Sequence, residues 1–312
     1  MIDKLKVMFM GTPDFAVPSL KMLYETEEVA AVITRADKPK GRHMTLTPPP
    51  VKAAAIELGI PVYQPATLKD EAFADLLKEI NPDIIIVAAF GKILPESVLS
   101  YPRFGCVNVH GSLLPEYRGA APMQRAIMDG KSETGITIMK MNAGIDTGDM
   151  YLKAGVPIGE NDNFEAVHDA LAELGAKLLC EALRGIKAGT LEAVAQDSER
   201  ATYAPKIEKD EEKIDFRLPA ASVHNKIRAL SPYPLAFCLI PDGSMLKITS
   251  SVVRDTETSA RPGTILHTGD VITVACGKGG IDIHGVLPEG GGRMSAADFV
   301  RGRRIAEGQS LF

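Results

Sequence analysis

The first half of the chain alternates between short apolar runs and amphipathic stretches. The apolar runs predict strands at 5–10, 29–33, 61–63, 83–88, 106–110, 134–141 and 150–156. Helical spacing of apolar residues predicts helices ending near residue 24, at 50–58, at 70–80 and at 163–187. This alternation predicts a doubly wound α/β domain, with its functional site at the carboxyl ends of the strands.

From residue 206 onward the pattern changes to short strands separated by turns. The predicted strands are 236–240, 245–254, 264–267, 271–275 and 281–287, and the predicted helices are 220–230 and 295–301. Asp242-Gly243, between the first two strands, is a typical hairpin signal. Such strands suit a small β-barrel of the OB type, although their number alone does not separate a barrel from a sandwich. We therefore expect a first domain over 1–187, a linker over 188–205 and a small β domain over 206–312.

Length and composition are those of a globular protein with two domains. The chain has 312 residues, of which 45% are hydrophobic and 24% are charged. No apolar run approaches the roughly 18 residues needed to cross a bilayer, and the first residues contain no signal-peptide core. The four cysteines are far apart, which disfavours a zinc knuckle or a disulfide framework. We expect a cytoplasmic protein with reduced thiols.

The net charge of −5 does not by itself suggest a nucleic-acid partner. The charge is unevenly distributed, because residues 206–312 carry 14 Lys and Arg against 13 Asp and Glu. That segment therefore has a charge of +1, and the rest of the chain has a charge of −6. RNA binding requires a basic face rather than a basic total, so the net charge leaves an RNA partner open.

The clearest candidate for chemistry is the strand 106–110, with the sequence Cys-Val-Asn-Val-His. Asn108 and His110 are two residues apart, so a strand points both side chains to the same face of the sheet. Asp146 follows in a loop with the sequence Gly-Ile-Asp-Thr-Gly-Asp. An amide that stabilises an oxyanion, an imidazole that moves a proton and a carboxylate that orients the imidazole suit acyl transfer. For an isolated Asn-x-His, two polar residues bonded to backbone at a strand end are the alternative.

A longer string contains this pair, Asn-Val-His-Gly-Ser-Leu-Leu-Pro-Glu-Tyr-Arg-Gly-Ala-Ala-Pro at 108–122. It resembles the signature of the formyltransferases that use 10-formyltetrahydrofolate, and its extended form is most similar to the branch that acts on initiator methionyl-tRNA. The resemblance implies a Rossmann-like formyltransferase domain followed by an OB-like barrel that holds the tRNA. It also implies catalytic roles for Asn108, His110 and Asp146, with 10-formyltetrahydrofolate as formyl donor and no metal. We expect a monomer.

Other functions stay open at this point. Relatives that formylate an amino sugar or another small amine keep the same three side chains, and hydrolysis of 10-formyltetrahydrofolate is a further variant. A catalytically inactive module that binds folate or RNA belongs to a different class. The intact set of Asn108, His110 and Asp146 disfavours that module.

The resemblance also implies a folate pocket formed by three segments. The first follows the strand at 83–88, the second follows the strand at 106–110, and the third is the loop that leads to Asp146. A flat heterocycle held by backbone groups and apolar side chains suits such a pocket. The predicted folate contacts are Phe90, Lys92, Leu94, Ser112, Leu113, Leu114 and Pro115. For Lys92, an ordinary surface lysine without a ligand contact is an equally good interpretation.

Residues 34–50 form a connection without a core-facing pattern, which is long for a compact domain. Within 35–42, four basic residues accompany one acid, a local charge of +3. Such a loop can approach phosphates or an exposed base pair. It resembles the insertion of tRNA-directed formyltransferases, which implies tRNA contacts for Lys40 and Arg42, with Arg42 at the position of the key arginine. A solvated connector is the alternative.

The turn after the first strand, Gly-Thr-Pro-Asp-Phe at 11–15, disfavours a dinucleotide cofactor. It lacks the Gly-x-Gly-x-x-Gly pattern, and Pro13 removes a backbone N–H that would face a phosphate. Because this turn lies beside the active site in the family, the resemblance implies that Phe15 forms a wall for the methionine side chain. A hydrophobic staple for the following helix is an equal alternative.

Overall fold

The computed structural model describes residues 4–40, 44–302 and 305–312. The chain forms two compact units. The first unit comprises Met1–Gly119, Thr134–Val156 and His168–Tyr203. The second comprises Ala120–Glu133, Pro157–Val167 and Ala204–Phe312, so two earlier stretches of the sequence belong with the C-terminal residues.

The secondary structure alternates strands and helices up to residue 188 and is rich in strands after residue 235. The strands are β1 (Lys6–Gly11), β2 (Glu28–Ile33), β3 (Lys38–Lys40), β4 (Thr45–Thr47), β5 (Val62–Tyr63), β6 (Ile84–Ala88), β7 (Cys106–His110), β8 (Arg118–Gly119), β9 (Glu133–Lys140), β10 (Met150–Pro157), β11 (Tyr203–Ala204), β12 (Ala236–Leu239), β13 (Met245–Arg254), β14 (Ile265–Thr268), β15 (Ile272–Ala275), β16 (Gly280–Pro288) and β17 (Met294–Ser295). The α-helices are α1 (Val17–Thr26), α2 (Pro50–Glu57), α3 (Glu71–Ile80), α4 (Glu96–Leu99), α5 (Pro122–Met128), α6 (Phe164–Ala188), α7 (Ala220–Ala229) and α8 (Ala296–Gly302).

The first unit is built on a mixed sheet with the strand order β10-β9-β7-β6-β1-β2-β5. β1 pairs in parallel with β2 and β6, β2 with β5, and β6 with β7, whereas β9 is antiparallel to β7. The chain adds β2 and β5 on one side of β1 and then returns to add β6 and β7 on the other. In sheets of this kind ligands bind at the carboxyl ends of the strands, where the order reverses. The predicted doubly wound α/β fold is confirmed.

Burial and capping explain where the central elements lie. All five residues of β6 are buried, as expected for a strand covered on both faces of a sheet. Helix α3 begins after Asp70, whose carboxylate accepts a hydrogen bond from the Phe73 N–H at 3.0 Å. It ends at Asn81, which has a left-handed conformation with φ 45°. Both ends of this helix therefore follow from local sequence.

The connection between β2 and α2 contains a hairpin where the sequence predicted an irregular loop. β3 and β4 pair in an antiparallel arrangement, with Lys38 opposite Thr47 and Lys40 opposite Thr45. Strands of three residues are too short for a hydrophobic alternation to reveal, and Pro39 is tolerated because the strand lies at an edge. Backbone hydrogen bonds between the strands, rather than a core-facing pattern, organise this segment. Arg42, two residues after the end of β3 in the sequence, lies outside the described residues.

The second unit contains an antiparallel sheet with the order β12-β13-β16-β15-β14, to which β17 adds beside β16. The hairpin predicted at Asp242-Gly243 joins β12 and β13, and Gly243 has a φ of 86°. The hydrophobic core of this unit combines the sheet with Val223 and Ile227 of α7 and Phe299 of α8. The prediction of a small C-terminal β domain is confirmed as an antiparallel sheet, while its closure into a barrel stays a prediction.

Polar contacts within the second unit explain why residues 157–167 belong to it. His224 of α7 is buried, its Nε2 donates to the Glu160 carbonyl at 3.0 Å, and its Nδ1 faces the Ser251 hydroxyl at 3.0 Å. Arg228 donates to the Gly159 carbonyl at 3.0 Å, one helical turn further along. Burial lowers the pKa of the His224 imidazole, which favours the neutral ring.

The four cysteines are free and buried: Cys106, Cys180, Cys238 and Cys276. Burial raises the pKa of Cys106 and Cys238 to about 12 and that of Cys276 to about 11. It also raises the pKa of Cys180. Because the thiolate is the nucleophile, these groups are inert while the protein is folded.

We therefore predict that the native protein reacts slowly with a thiol-specific disulfide reagent at pH 8. A thiol with a pKa of about 12 is only about 10⁻⁴ ionised at that pH. In denaturant all four thiols should react within the time expected of exposed cysteine. The measurement is the number and rate of thiols titrated with and without denaturant, and fast reaction of Cys106 in the folded protein would contradict the buried placement.

Candidate active site

β7 holds Asn108 and His110 in a strand that is paired on both sides. Asn108 is opposite Val87 of β6 and Met139 of β9, and His110 is opposite Thr137 of β9. Alternate positions of an extended strand put the two side chains on the same face. His110 is only 5% exposed, whereas Asn108 is partly exposed. Among the residues that the structure describes, the Asn108 side chain makes no hydrogen bond.

Both ring nitrogens of His110 face oxygen atoms. Nδ1 lies 3.6 Å from Oδ2 of Asp146, and Nε2 lies 3.1 Å from the carbonyl oxygen of Tyr117. A carbonyl oxygen only accepts, so Nε2 carries a proton and donates it. Nδ1 faces the Asp146 carboxylate, which is placed to stabilise a proton that Nδ1 gains. The site therefore offers an oxygen acceptor beside each ring nitrogen of His110.

Asp146 lies in the loop between β9 and β10 and is held in a left-handed conformation with φ 51°. Its Oδ2 accepts a hydrogen bond from the Gly119 N–H at 2.9 Å. Within the loop, the Asn142 side-chain oxygen accepts from the Thr147 hydroxyl at 2.8 Å. Asp tolerates this backbone conformation better than most residues do. The carboxylate is thus oriented both by its own backbone and by the segment that follows β7.

The predicted folate segment 112–115 is held rigidly at the end of β7. Ser112 donates through its hydroxyl to the Glu116 carbonyl at 2.6 Å. Thr137 donates to the Ser112 carbonyl at 2.7 Å and accepts from the Leu114 N–H at 3.0 Å. These contacts fix the backbone and use the Ser112 hydroxyl within the protein. The side chains differ in burial, with Ser112, Leu114 and Pro115 buried and Leu113 half-buried.

The other predicted folate segment follows β6, and its side chains point in different directions. Phe90 and Leu94 are buried in the core of the first unit. Lys92 donates to the backbone carbonyls of Pro65 and Ala66 at 2.8 and 2.9 Å. Ile93, which the hydrophobic pattern did not single out, is 76% exposed. Contacts from Phe90 and Leu94 to a ligand therefore fall to their backbone groups.

The predicted substrate residues lie in two other places. Phe15 is buried, and its ring meets the His168 ring edge-on, with centroids 5.7 Å apart and an interplanar angle of 61°. Lys40 is the last residue of β3, and Arg42 lies outside the described residues. The structure therefore brings His110 and Asp146 into contact, and Asn108 lies on the same strand face as His110. Phe15 packs against a different neighbour, His168.

Two residues beside the site were missed as functional candidates. Arg118 is 4% exposed, and its Nε and Nη2 donate to the Oε1 of Gln196 at 3.0 and 2.8 Å. Arg118 lies in the string at 108–122 that resembles a family signature. That string is the sequence feature by which Arg118 could have been found. Gln196 falls in the stretch 188–205 that was predicted to be a linker, and no feature of the local sequence indicates its partners.

Over residues 4–40, 44–302 and 305–312, no group of three or more His, Cys, Asp and Glu side chains is placed to hold a metal ion. Over the same residues, no helix has the length and apolar character needed to cross a membrane.

A doubly wound sheet with an amide, an imidazole and a carboxylate near its strand ends defines an α/β enzyme suited to group transfer. The profile described as "Formyl transferase" matches residues 4–183, and that described as "Formyl transferase, C-terminal domain" matches residues 206–304. The chain belongs to the formyl transferase family, and its resemblance to that family is confirmed.

Relatives match the chain over nearly its whole length. It is 46% identical over 309 residues to "Methionyl-tRNA formyltransferase" of Caldanaerobacter subterraneus subsp. tengcongensis, covering 98% of this chain and 100% of that protein. It is 45% identical over 309 residues to the protein of the same name from Acetivibrio thermocellus, covering 98% and 99%.

Solved structures share the fold at low sequence identity. The sugar 3N-formyl transferase WlaRD has a TM-score of 0.68 at 20% identity, over 89% of this chain and 97% of that one. HypX from Aquifex aeolicus in complex with tetrahydrofolic acid has a TM-score of 0.64 at 16% identity, over 96% and 47%. At these identities the likeness extends to the fold alone.

We predict that Lys92 contributes to stability, because its ammonium binds two carbonyls of a neighbouring loop. Lys92→Met should lower the free energy of unfolding by about 1 kcal/mol, less than is usual for hydrogen bonds to a charged group because the side chain is only half-buried. The measurement is urea unfolding. Lys69→Met, at an exposed position before α3, is the matched control. Equal stabilities of the two variants would mean that Lys92 is an ordinary surface lysine.

Proposed function

We propose that this protein transfers the formyl group of 10-formyltetrahydrofolate to the α-amine of methionine on initiator methionyl-tRNA, which supports translation initiation. The observation that carries the proposal is the buried His110, flanked by the Asp146 carboxylate and the Tyr117 carbonyl, on the same strand face as the Asn108 amide. Relatives named methionyl-tRNA formyltransferase, 44–46% identical over nearly the whole chain, support the choice of substrate.

The three side chains divide the work of acyl transfer between them. As the amine adds to the formyl carbon, Asn108 donates a hydrogen bond to the oxygen on which negative charge develops. His110 accepts the proton that the amine loses, and Asp146 stabilises the resulting imidazolium. When the bond from the formyl carbon to N10 of the folate breaks, His110 returns that proton to N10. One carbon–nitrogen bond forms, one breaks, and the proton passes from amine to amine.

The folate contacts are proposed at the segments after β6 and β7. Backbone groups of residues 90–94 and 112–115 are fixed at the strand ends, and exposed Ile93 adds an apolar surface suited to a flat ring system. HypX from Aquifex aeolicus has been solved with tetrahydrofolic acid, and an N-formyltransferase from Helicobacter canadensis with folinic acid and dTDP-3-aminofucose. These ligands support a folate site in the same fold, and no residue of this chain is given a metal-binding role.

The tRNA contacts are proposed at the β3–β4 hairpin and at the C-terminal sheet. Lys38 and Lys40 lie on the hairpin, and Arg42 follows β3 in the sequence. Basic residues in such a segment suit the phosphates of an acceptor stem. We assign residues 1–187 to catalysis and 206–312 to tRNA binding, joined by residues 188–205, in a cytoplasmic monomer.

The test is formyl transfer from 10-[¹⁴C]formyltetrahydrofolate to three acceptors offered separately. The proposal requires label on the methionine of charged initiator tRNA. Label on a free amino sugar would instead support the alternative of a formyltransferase for a small amine. Release of labelled formate into water, without transfer, would support hydrolysis.

We predict that each of the three site residues is essential. Asn108→Ala, His110→Ala and Asp146→Ala should each lower kcat for Met-tRNA formylation by about 10²–10³, the usual effect of removing an oxyanion donor. The comparison variant is Asp75→Ala on the exposed face of α3, which should keep full activity. Circular dichroism and thermal unfolding establish that each variant is folded. Near wild-type turnover by folded His110→Ala would refute its role in proton transfer.

We predict that Arg42 separates a tRNA enzyme from its small-substrate relatives. Arg42→Ala should severely impair formylation of Met-tRNA and leave folate binding intact. If Arg42 meets a phosphate, the slope of log affinity against log salt should flatten by about 0.7–0.9, because fewer counterions are released. Arg184→Ala, an exposed arginine on α6, controls for the change in net charge. Unchanged activity and unchanged salt dependence in Arg42→Ala would mean that Arg42 does not contact tRNA.

A further inference from the structure

A chain of three hydrogen-bonded polar groups lies beside the candidate active site. It runs from the guanidinium of Arg118 to the amide of Gln196 and on to the backbone of the loop that carries Asp146. Gln196 donates from its Nε2 to the carbonyl oxygens of Asp146 at 2.8 Å and Gly148 at 2.7 Å. Its Oε1 accepts two hydrogen bonds from Arg118, at 3.0 and 2.8 Å.

This arrangement uses all the hydrogen-bonding capacity of one amide. A glutamine side chain has two N–H donors and an oxygen with two lone pairs, and each is occupied here. Reversal of the amide would place its oxygen against two carbonyl oxygens and its N–H groups against a guanidinium. The hydrogen bonds therefore specify the orientation of Gln196, and Arg118 determines which end of the amide faces the loop.

Strand β8, which contains Arg118, also holds the side-chain carboxylate of Asp146. Gly119, the residue after Arg118, donates its N–H to the Asp146 Oδ2 at 2.9 Å. Arg118 itself is anchored by its N–H, which donates to the Thr202 carbonyl at 2.9 Å. Both the backbone and the carboxylate of Asp146 are thus tied to the two-residue strand β8, one through Gln196 and one directly.

We infer that Gln196 and Arg118 are positioning residues that hold the Asp146 carboxylate beside His110. The Nδ1–Oδ2 distance of 3.6 Å leaves the carboxylate dependent on the loop for its place, because His110 does not bind it tightly. Asp146 also has a left-handed backbone, and the hydrogen bond to its carbonyl oxygen favours that conformation. Gln196 acts through Asp146 and takes no part in bond making. This inference rests on the proposed function.

The experiment is a double-mutant cycle between Gln196→Leu and Asp146→Ala, measured by formylation of Met-tRNA. Gln196→Leu alone should lower kcat about 10²-fold, the cost of misplacing a catalytic group by about 1 Å. The KM for 10-formyltetrahydrofolate should stay close to wild type. In the Asp146→Ala background the same substitution should cost less than about threefold, because its target is already gone.

Two companion variants separate positioning from general support of the fold. Gln196→Glu keeps a partner for Arg118 but presents an oxygen to the carbonyls of Asp146 and Gly148, so it should lose as much activity as Gln196→Leu. Val194→Ala, whose exposed side chain lies two residues away, should keep full activity. Each assay is made at a temperature where circular dichroism shows the variant to be folded.

The possible results distinguish this inference from the proposed function. Full kcat in folded Gln196→Leu, or in Gln196→Glu, would overturn it. A loss of about 10²-fold in kcat from Gln196→Leu that persists in the Asp146→Ala background would also overturn it, because independent effects add. If Asp146→Ala itself has full activity, the proposed catalytic site fails, and the positioning role fails with it.

Discussion

A buried imidazole must find an oxygen for each N–H that it carries, and this requirement organises the first unit around His110. The strand position of His110 is set by pairing on both sides of β7, so the ring cannot move to its partners. The partners are therefore brought to the ring. The chain turns directly after β7 to place the Tyr117 carbonyl at Nε2, and the loop after β9 places Asp146 at Nδ1.

The regular elements of the fold were predictable because burial leaves a pattern in the sequence. β6 is a continuous apolar run, and α3 has both an apolar stripe and a capping Asp70. The β3–β4 hairpin and the two-residue strands β8 and β11 were not predictable, because backbone pairing creates them and strands of two or three residues are too short to show an alternation of apolar and polar positions. The inclusion of residues 120–133 and 157–167 in the second unit was also hidden. It depends on contacts such as that of His224 with the Glu160 carbonyl.

The candidate site was predictable to the extent that its members share a strand or a recognisable string. Asn108 and His110 share a face by the twofold period of a strand, and Asp146 was matched through the resemblance to a family. Apolar site residues are harder, because Phe15, Phe90 and Leu94 have side chains that suit a ligand and a protein core equally, and the structure buries all three. No sequence pattern indicates the role of Gln196. The backbone carbonyls that it binds are about fifty residues away, and every residue type has a backbone carbonyl.

The Arg118–Gln196 pair contributes little to the stability of the fold and much to the geometry of the candidate site. A typical intramolecular hydrogen bond adds only about 0.5–1.5 kcal/mol to stability, since water offers the same groups alternative partners. Burying a guanidinium costs free energy unless hydrogen bonds compensate for the lost water. The four hydrogen bonds at Gln196 are thus a poor means of stabilising a fold that already has a large apolar core. Their geometric effect is larger, because a displacement of about 1 Å in a catalytic group costs about 10²-fold in rate. A buried arginine and a half-buried glutamine whose pairing is nearly neutral for stability are therefore best explained by the position that they give to Asp146.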